Sequence, residues 1–254
     1  MSEDHKHRAR IFLHRGDLIH ARTAWEAAVT DDRMAGDPRT LSNALGNLGN
    51  TCALMGDLVR AEECYREVLQ IQRTEGNLTA VAHTLVNLGN LHIASDHPEQ
   101  ARPYYLEALD LLRQLQDHRG LGILYTNLAL QEARTRQWDE AIMSFKQALD
   151  HHRIVGNEEG LAVTYSQLGK CYLDHGDLLG AERCLNNASE HYIKLGNEPA
   201  EAAVLRYLAN VYEARCDWTS ALRCLDRVTS LDQRYALPEL QTDLSHLLKL
   251  KQAG

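Results

Sequence analysis

Side-chain amides recur along this sequence at intervals of 40 residues. Asn47 and Asn87 are followed at the same interval by Asn127, and Asn50 is followed by Asn90. A carboxamide carries two donors and an acceptor, so it can hydrogen-bond to a peptide bond whatever side chain accompanies that bond. The pattern therefore favours recognition of an extended peptide backbone.

Sequence motifs for catalysis and for cofactor binding are missing. The chain has no GxxxxGK[ST], HExxH or GxSxG motif. We therefore expect neither an enzyme nor a bound cofactor. The 13 histidines include the pair His151-His152, but adjacent residues of a helix point in different directions and no cysteine lies nearby. We expect no metal site.

The six cysteines favour packing over disulfide or redox chemistry. Cys64, Cys184 and Cys224 share one position of the 40-residue period, which other repeats fill with alanine, tyrosine or serine. Buried cysteine behaves as a small apolar residue, and the sequence has no CxxC pair. We expect free, buried thiols.

Charge and hydropathy exclude two classes of partner. The net charge is −8 and the pI is near 5.9, whereas a nucleic-acid surface needs clustered lysine and arginine to replace condensed counterions. No apolar run approaches the roughly 18 residues of a membrane span, and residues 1–10 lack the apolar stretch of a signal peptide. We expect no nucleic-acid partner, no membrane partner and a cytoplasmic location.

The elements that position the amides follow the same 40-residue period. One column contains only alanine, a second contains only glycine or alanine, and a third contains large apolar or aromatic residues. These columns are Ala21, Ala61, Ala101, Ala141, Ala181 and Ala221; Ala9, Gly49, Gly89, Ala129, Gly169 and Ala209; and Trp25, Tyr65, Tyr105, Phe145, Leu185 and Leu225. Small residues let helix backbones approach closely, and the large residues fill the space beside them.

Each period predicts two helices. Residues 41–54 and 58–72 both place apolar side chains at helical spacing. Gly56-Asp57 separates them, and Gly76-Asn77 separates one repeat from the next. Glycine supplies the left-handed residue that ends a helix, while Asp or Asn caps the following helix. The sequence therefore predicts an all-α protein of antiparallel helix pairs.

The repeat resembles the tetratricopeptide repeat. The residues that carry this resemblance occupy the small, apolar and aromatic positions of the motif: Leu48, Gly49, Cys52, Ala61, Tyr65 and Val68. The usual repeat has about 34 residues. The longer period here is similar to the Leu-Gly-Asn repeats of Pins-type adaptors and to kinesin light chains, although Arg73, Arg113 and Arg153 replace the proline that commonly closes the motif.

The resemblance implies a right-handed α-solenoid that forms a single domain over residues 1–254, with a C-terminal capping helix over residues 238–250. In that helix, Lys249 stands where every earlier repeat has glycine or alanine. The implied repeats span residues 2–35, 42–75, 82–115, 122–155, 162–195 and 202–235.

In proteins of this type the first helix of each pair lines the concave face. The candidate peptide-binding residues that the resemblance places there are Asn43, Asn47, Asn50, Asn87, Asn90, Asn127, Arg134, Gln167, Lys170, Arg206 and Asn210. The related adaptors hold ligand backbones with such asparagines. The alternative interpretation is that these asparagines belong to the repeat consensus and bond across adjacent helices.

Two sets of residues on this face are candidates for binding an acidic group. Some tetratricopeptide proteins clamp a C-terminal carboxylate, and the corresponding positions here are Lys6, Arg10, Asn47, His83 and Asn87. Arg10, His83 and Asn87 depart from that clamp's pattern, which counts against a chaperone-type acidic tail. Separately, Lys170 and Arg206 form either a site for an acidic group or ordinary solvated charges.

The function expected from these features is a non-enzymatic adaptor that holds an extended or helical segment of a partner protein or peptide. The alternative is a regulatory sensor in which peptide or small-ligand binding changes the curvature of the solenoid and controls an enzyme or a transcription factor. Self-association into a scaffold is a third interpretation.

Overall fold

The structure, a computed structural model, describes residues 1–253, with side chains as far as Lys251. That part of the chain contains thirteen α-helices and no β-strand, which confirms the all-α class. The helices are α1 Ser2–His14, α2 Leu18–Ala35, α3 Pro38–Leu54, α4 Leu58–Thr74, α5 Leu78–Ala94, α6 Pro98–Gln114, α7 His118–Arg134, α8 Trp138–Ile154, α9 Glu158–His175, α10 Leu178–Leu195, α11 Glu198–Ala214, α12 Trp218–Tyr235 and α13 Leu240–Ala253. Odd-numbered helices are the first helices of the repeats, and even-numbered helices are the second helices.

Helices begin at the predicted capping residues. The carboxylate of Asp57 accepts the N–H of Arg60 at 3.2 Å, and the Asn77 side chain accepts the N–H of Ala80 at 3.2 Å. Gly56 ends the preceding helix with φ of 79°. In this left-handed region a side chain costs about 1 kcal/mol or more, so glycine is the favoured residue.

Five turns reach the left-handed region without glycine. Their residues have φ between 51° and 61° and are Asp96, Gln116, Arg136, Cys216 and Ala236. The turn geometry is therefore set by the packing of the flanking helices as well as by the residue type.

Contacts divide the chain into two compact units, Met1–Gly120 and the residues from Leu121 onward. In the first unit, α1 packs on α2, α3 on α4 and α5 on α6, and α2 and α4 each also pack on the next first helix. In the second unit, each helix from α8 to α12 packs on its successor. The predicted stacking of consecutive helix pairs is confirmed within each unit.

Glycine and tyrosine pack against each other where the small and large columns meet. A Cβ added to Gly49 would lie 2.8 Å from Cε1 of Tyr65, and one added to Gly89 would lie 2.3 Å from Cε1 of Tyr105. Both distances are far below van der Waals contact, so the tyrosine ring occupies the space that the glycine leaves open. The predicted register of the two helices is therefore confirmed at these repeats.

In the first unit, arginines link neighbouring second helices. They stand at the position where the motif commonly has its closing proline. Arg33 pairs with Glu67, and Arg73 pairs with Glu107 at 2.6 Å. About half of each side chain in the Arg73–Glu107 pair is exposed, so such a pair contributes only a few tenths to about 1 kcal/mol. Arginine in place of the closing proline therefore links one repeat to the next.

The helix bounds differ from the repeat bounds read from the motif. The second pair begins at Pro38 instead of residue 42 and the third at Leu78 instead of residue 82, because the Asp37 and Asn77 caps start the first helices one turn earlier. The last helix spans Leu240–Ala253 instead of residues 238–250. Its role as a cap, and the single solenoid over the whole chain, stay predictions.

Candidate functional site

Two of the predicted asparagines bond to a tyrosine on the paired helix. The hydroxyl of Tyr65 donates to Asn50 Oδ1 at 2.6 Å, and the hydroxyl of Tyr105 donates to Asn90 Oδ1 at 2.6 Å. Burial raises the pKa of Tyr65 to about 12, so its hydroxyl keeps the proton that it donates. The oxygen atoms of Asn50 and Asn90 thus hold adjacent helices together, as the alternative interpretation of these asparagines predicts.

The sequence contains a signal for this bond that the repeat alignment alone does not give. In the repeats where asparagine stands at this position and tyrosine follows fifteen residues later, the bond forms. The other pairs at the same spacing are Arg10 and Trp25, Leu130 and Phe145, Lys170 and Leu185, and Asn210 and Leu225. Tryptophan, phenylalanine and leucine have no hydroxyl to donate. Co-occurrence of asparagine and tyrosine therefore marks the structural asparagines.

The asparagines three residues earlier in the repeat, Asn47 and Asn87, form fewer hydrogen bonds to other helices of the protein. Asn47 Nδ2 donates to the backbone oxygen of Asn43, one turn earlier, at 2.7 Å. Asn47 and Asn87 are half-buried, whereas Asn43 is exposed. Asn127 is half-buried on α7 and makes contacts of its own.

A cleft of about 400 Å³ in the first unit brings three predicted residues together. We call it the amide cleft, because Asn50, Asn87 and Asn90 supply its polar groups. The rest of its lining is apolar or aromatic and comprises Ala53, Leu54, Leu58, Tyr65, Leu91 and Ala94. No charged residue is among these nine. The cleft suits a neutral or apolar group flanked by peptide bonds.

Leu54 forms an apolar rim at this cleft. Its side chain is 69% exposed although it lies in the last turn of α3. Asn50 lies one turn earlier on the same helix. A ligand group entering here would meet apolar surface and an amide within one helical turn.

A second cleft, of about 230 Å³, brings together three other predicted residues. We call it the charged cleft, because Arg134, Lys170 and Asp174 line it together with Gln167. The other lining residues are Leu130, Ala133, Phe145 and Cys171. Lys170 Nζ lies 6.0 Å from the centre of the Tyr207 ring, a cation–π distance. With two cations and one carboxylate, the cleft carries a net positive charge.

Arg206 lies in an ion-pair cluster with three carboxylates of its own chain. Its guanidinium donates to Asp232 at 2.5 Å and to Asp243 at 2.6 Å, and Glu239 lies 3.8 Å away. Asp232 is fully buried, and this burial raises the pKa of its carboxyl. These contacts give Arg206 a structural role, and a shared anion site of Lys170 and Arg206 stays a prediction.

Lys6 repeats this arrangement in the first unit. Its ammonium contacts Glu3 at 2.9 Å and Asp32 at 3.0 Å, and the side chain is almost fully buried. In both cases the acid lies 26 residues after the base, which is a spacing that the sequence displays. Burial of a charge requires such a partner, so this spacing identifies Lys6 and Arg206 as structural.

The remaining predicted residues lie apart from both clefts. His83, one of the considered clamp positions, contacts Asp117 at 2.8 Å. With Lys6 and His83 both beside carboxylates of their own chain, the structure gives no support to the carboxylate clamp. Asn210 is exposed on α11 and lines neither cleft.

All six cysteines are free, and five are buried. Cys216 is the exception: it is exposed, in the turn between α11 and α12, so the expectation of six buried thiols was wrong at this residue. Burial raises the pKa of Cys64 and Cys184 to about 11, which keeps both as thiols at neutral pH. Among residues 1–251, no cluster of three or more His, Cys, Asp or Glu side chains is arranged to hold a metal ion. Nor does any described helix combine the length and apolar composition of a membrane span.

Sequence comparison identifies the repeats. The family model described as tetratricopeptide repeat matches residues 40–114, 120–179 and 164–234, which is most of the chain. This chain belongs to the tetratricopeptide repeat family. No curated protein matches it. The finer likeness to Pins-type adaptors and kinesin light chains stays a prediction.

Solved structures of other tetratricopeptide proteins are similar to this chain. BtubC from P. vanneervenii is 20% identical with a TM-score of 0.77, over 87% of this chain and 92% of that one. A signal transduction ATPase with a tetratricopeptide repeat sensor from Pyrococcus horikoshii is 15% identical with a TM-score of 0.79, over 96% of this chain and 38% of that one. A Rap protein complexed with Competence and Sporulation Factor is 14% identical with a TM-score of 0.71, over 98% of this chain and 74% of that one. At such identities the likeness establishes the fold alone.

Proposed function

We propose that this protein is a non-enzymatic adaptor that binds an extended or helical segment of a partner protein on its first helices. The observation that carries this proposal is the amide cleft, where Asn50 and Asn87 stand beside an apolar lining free of charge. Buried or partly buried backbone needs donors and acceptors, and side-chain amides supply both without selecting one ligand side chain.

The two amides have different tasks in this proposal. Asn50 uses its oxygen on Tyr65, so it offers its Nδ2 donors to a carbonyl of the ligand. Asn87 makes no hydrogen bond to the described part of the chain through its side chain and offers both a donor and an acceptor. Each bond made to a ligand contributes about 1 kcal/mol. Apolar contact with Leu54 and Leu58 then holds a neighbouring side chain of the ligand.

The charged cleft extends the same function to an acidic side chain. Lys170 forms no ion pair with the described residues, and its contact with Tyr207 leaves the ammonium able to donate hydrogen bonds to a carboxylate. Its exposure makes this contribution modest and dependent on salt.

A display selection tests the adaptor function. Random peptides of about twelve residues are selected against the parent protein, and the affinity of the enriched peptides is measured for Asn87→Ala and for the convex control Arg66→Ala. Loss of one or two hydrogen bonds predicts roughly five- to thirtyfold weaker binding to Asn87→Ala. Unchanged binding to Asn87→Ala, together with loss in Arg66→Ala, would move the site to the outer helices.

A regulatory sensor is the second candidate, and the descriptions of two similar structures motivate it. One similar structure contains a tetratricopeptide repeat sensor and another is a Rap protein in complex with a signalling factor. A sensor must bind its ligand with different affinity in two conformations. Small-angle scattering of the protein with and without a selected peptide separates the candidates: a changed scattering profile supports the sensor, and an unchanged profile supports the adaptor.

A further inference from the structure

The amide cleft and the charged cleft are two copies of one feature of the repeat. Each of the eight residues that line the charged cleft lies 80 residues, or two repeats, after a residue that lines the amide cleft. Asn87 and Asn90 correspond in this way to Gln167 and Lys170. The same cleft is therefore built twice at one place in the repeat, with different side chains in its lining.

An alanine lines both clefts at the same position of the repeat. Ala53 lines the amide cleft, and Ala133 lines the charged cleft. In the repeats that follow each of them this position contains Ile93 and Leu173, and both side chains are half-buried. Isoleucine and leucine extend further from the helix than alanine and would fill part of either cleft. The alanine therefore determines how much space a ligand side chain finds there.

The volume of the amide cleft fits one large side chain. The cleft measures about 400 Å³, whereas an apolar cavity of about 150 Å³ is enough to hold benzene. A leucine or phenylalanine side chain therefore fits, together with parts of the peptide groups on either side of it.

The lining of the amide cleft disfavours a charged side chain. None of its nine residues is charged, and an ionised group that leaves water without a partner is strongly disfavoured. Leu54, Leu58 and Leu91 instead offer apolar surface. The amide oxygen of Asn50 accepts from Tyr65, so its Nδ2 is the atom that can donate to a carbonyl beside the bound side chain.

The charged cleft has the opposite preference. Arg134 and Lys170 stand there in place of Leu54 and Asn90. An apolar side chain entering the charged cleft would displace water from these cations without replacing its hydrogen bonds. The charged cleft is therefore a control within the same molecule for a ligand without charge.

We propose that the amide cleft selects an uncharged side chain of leucine to phenylalanine size from the bound segment, and that Ala53 sets this size limit. This inference rests on the proposed function, because it assigns a side chain to the segment that the first helices bind. A partner segment would present a large apolar residue at the position that enters the cleft.

Capped amino acids test this pocket without any partner protein. N-acetyl-leucine N-methylamide and its phenylalanine, alanine, glutamate and lysine equivalents each carry one side chain between two peptide groups. Each compound is titrated into nitrogen-15-labelled parent protein, and the side-chain NH₂ resonances of Asn50 and Asn87 are followed. We expect the leucine and phenylalanine compounds to bind in the millimolar range, at least about fivefold more tightly than the other three.

Matched variants distinguish the two clefts. Ala53→Ile introduces into the amide cleft the residue type found at Ile93, and Ala133→Leu introduces into the charged cleft the type found at Leu173. We expect Ala53→Ile to weaken binding of the leucine compound at least about tenfold and Ala133→Leu to change it less than about twofold. Ala53→Val, with a side chain of intermediate size, should give an intermediate loss. Circular dichroism verifies that the variants fold, as expected because neighbouring repeats accommodate the larger residues.

Three results would overturn this proposal: equal binding of the leucine and glutamate compounds, no saturable shift of Asn50 or Asn87 with any compound, or unchanged binding of the leucine compound to both Ala53 variants. The display selection can still yield peptides that depend on Asn87 in each of these cases, so the adaptor function would survive. If the selection enriches no peptide while the leucine compound binds the parent and not Ala53→Ile, the pocket is supported and the adaptor function fails.

Discussion

The amide cleft and the charged cleft are built at equivalent positions of the repeat and have opposite chemistry. In the first, positions four residues apart hold Asn90 and Ala94; in the second, the equivalent positions 80 residues later hold Lys170 and Asp174. The helix geometry is the same because the small columns behind both clefts are conserved within this chain as glycine or alanine. The difference shows that the columns facing the partner helix set the fold, while the columns facing outward set the ligand.

A second difference lies behind the clefts. The amide cleft rests on Gly89 and Tyr105 and on the equivalent pair of the preceding repeat, whereas Gly169 in the second unit faces Leu185. The tyrosine hydroxyl donates a hydrogen bond to an asparagine on the preceding helix of the same pair, and a leucine cannot. One cleft therefore has structural asparagines in its wall, and the other is free to carry charge.

The largest effect should come from filling the space under tyrosine. In Gly89→Ala the new Cβ would lie 2.3 Å from the Tyr105 ring, and we expect destabilisation of about 2 to 3 kcal/mol. In Gly169→Ala the new Cβ would lie 2.6 Å from Cγ of Leu185. A leucine side chain moves more easily than a tyrosine ring whose hydroxyl is hydrogen-bonded, so this variant should lose less, about 1 kcal/mol. Urea denaturation measures both. If the double variant Gly89→Ala/Tyr105→Leu does not recover part of the loss, the ring is not the obstacle.

The second-largest loss of stability should come from removing the acceptor of the Tyr65 hydroxyl. In Asn50→Leu the Tyr65 hydroxyl, with the ring 4% exposed, loses its acceptor, and we expect a loss of about 1 to 2 kcal/mol. Adding Tyr65→Phe reproduces the Leu130 and Phe145 combination of the second unit and should restore most of the stability. A loss in the double variant that equals or exceeds that of the single variant would contradict a structural role for Asn50.

The units should also differ in their response to acid. Burial, with a smaller contribution from His151, lowers the pKa of His152, and the first unit has Leu112 at the equivalent position. The unfolded chain then binds more protons, so the stability is fully present above pH 6.5, the ordinary value, and is lost as the pH falls below it. Between pH 7 and 5, His152 contributes at most about 1.4 kcal/mol per pH unit to the slope of the unfolding free energy. His152→Leu should reduce that slope; an unchanged slope would exclude His152.

The smallest effect is expected at the outer ion pairs. Arg73→Ala removes a half-exposed pair with Glu107 and should destabilise the protein by a few tenths of a kcal/mol. The second unit has no equivalent pair at Ile193, so Ile193→Ala serves as the comparison for side-chain truncation. Thermal melts at low and high salt measure both variants. Salt should reduce the effect of Arg73→Ala alone, and equal salt dependence of the two variants would remove any role for the pair.

The sequence was sufficient for the fold because its signals are local and repeated. The three columns of small and large residues determine which faces of the helices meet, and Asp57 and Asn77 determine where helices begin. Helix ends were less predictable. Cys216 takes a left-handed conformation without being glycine, because packing of the flanking helices outweighs the local preference.

The candidate site was only partly predictable. Alignment of the repeats identified Asn50, Asn87 and Lys170, which line the clefts. It did not separate them from Arg206, whose guanidinium is held by two buried carboxylates from different helices. A column shows that a residue faces the same direction in each repeat, but the availability of its polar atoms depends on partners far away in the sequence.

The most direct test of peptide recognition is to observe the side-chain amides themselves. In a nitrogen-15-labelled protein, the side-chain NH₂ resonances of Asn50, Asn87 and Asn210 are followed while a display-selected peptide is added. If the amide cleft binds the peptide, the signals of Asn50 and Asn87 shift as the peptide is added. The signal of Asn210, which lies outside both clefts, stays in place. Saturable peptide binding with Asn50 and Asn87 unshifted would contradict the account.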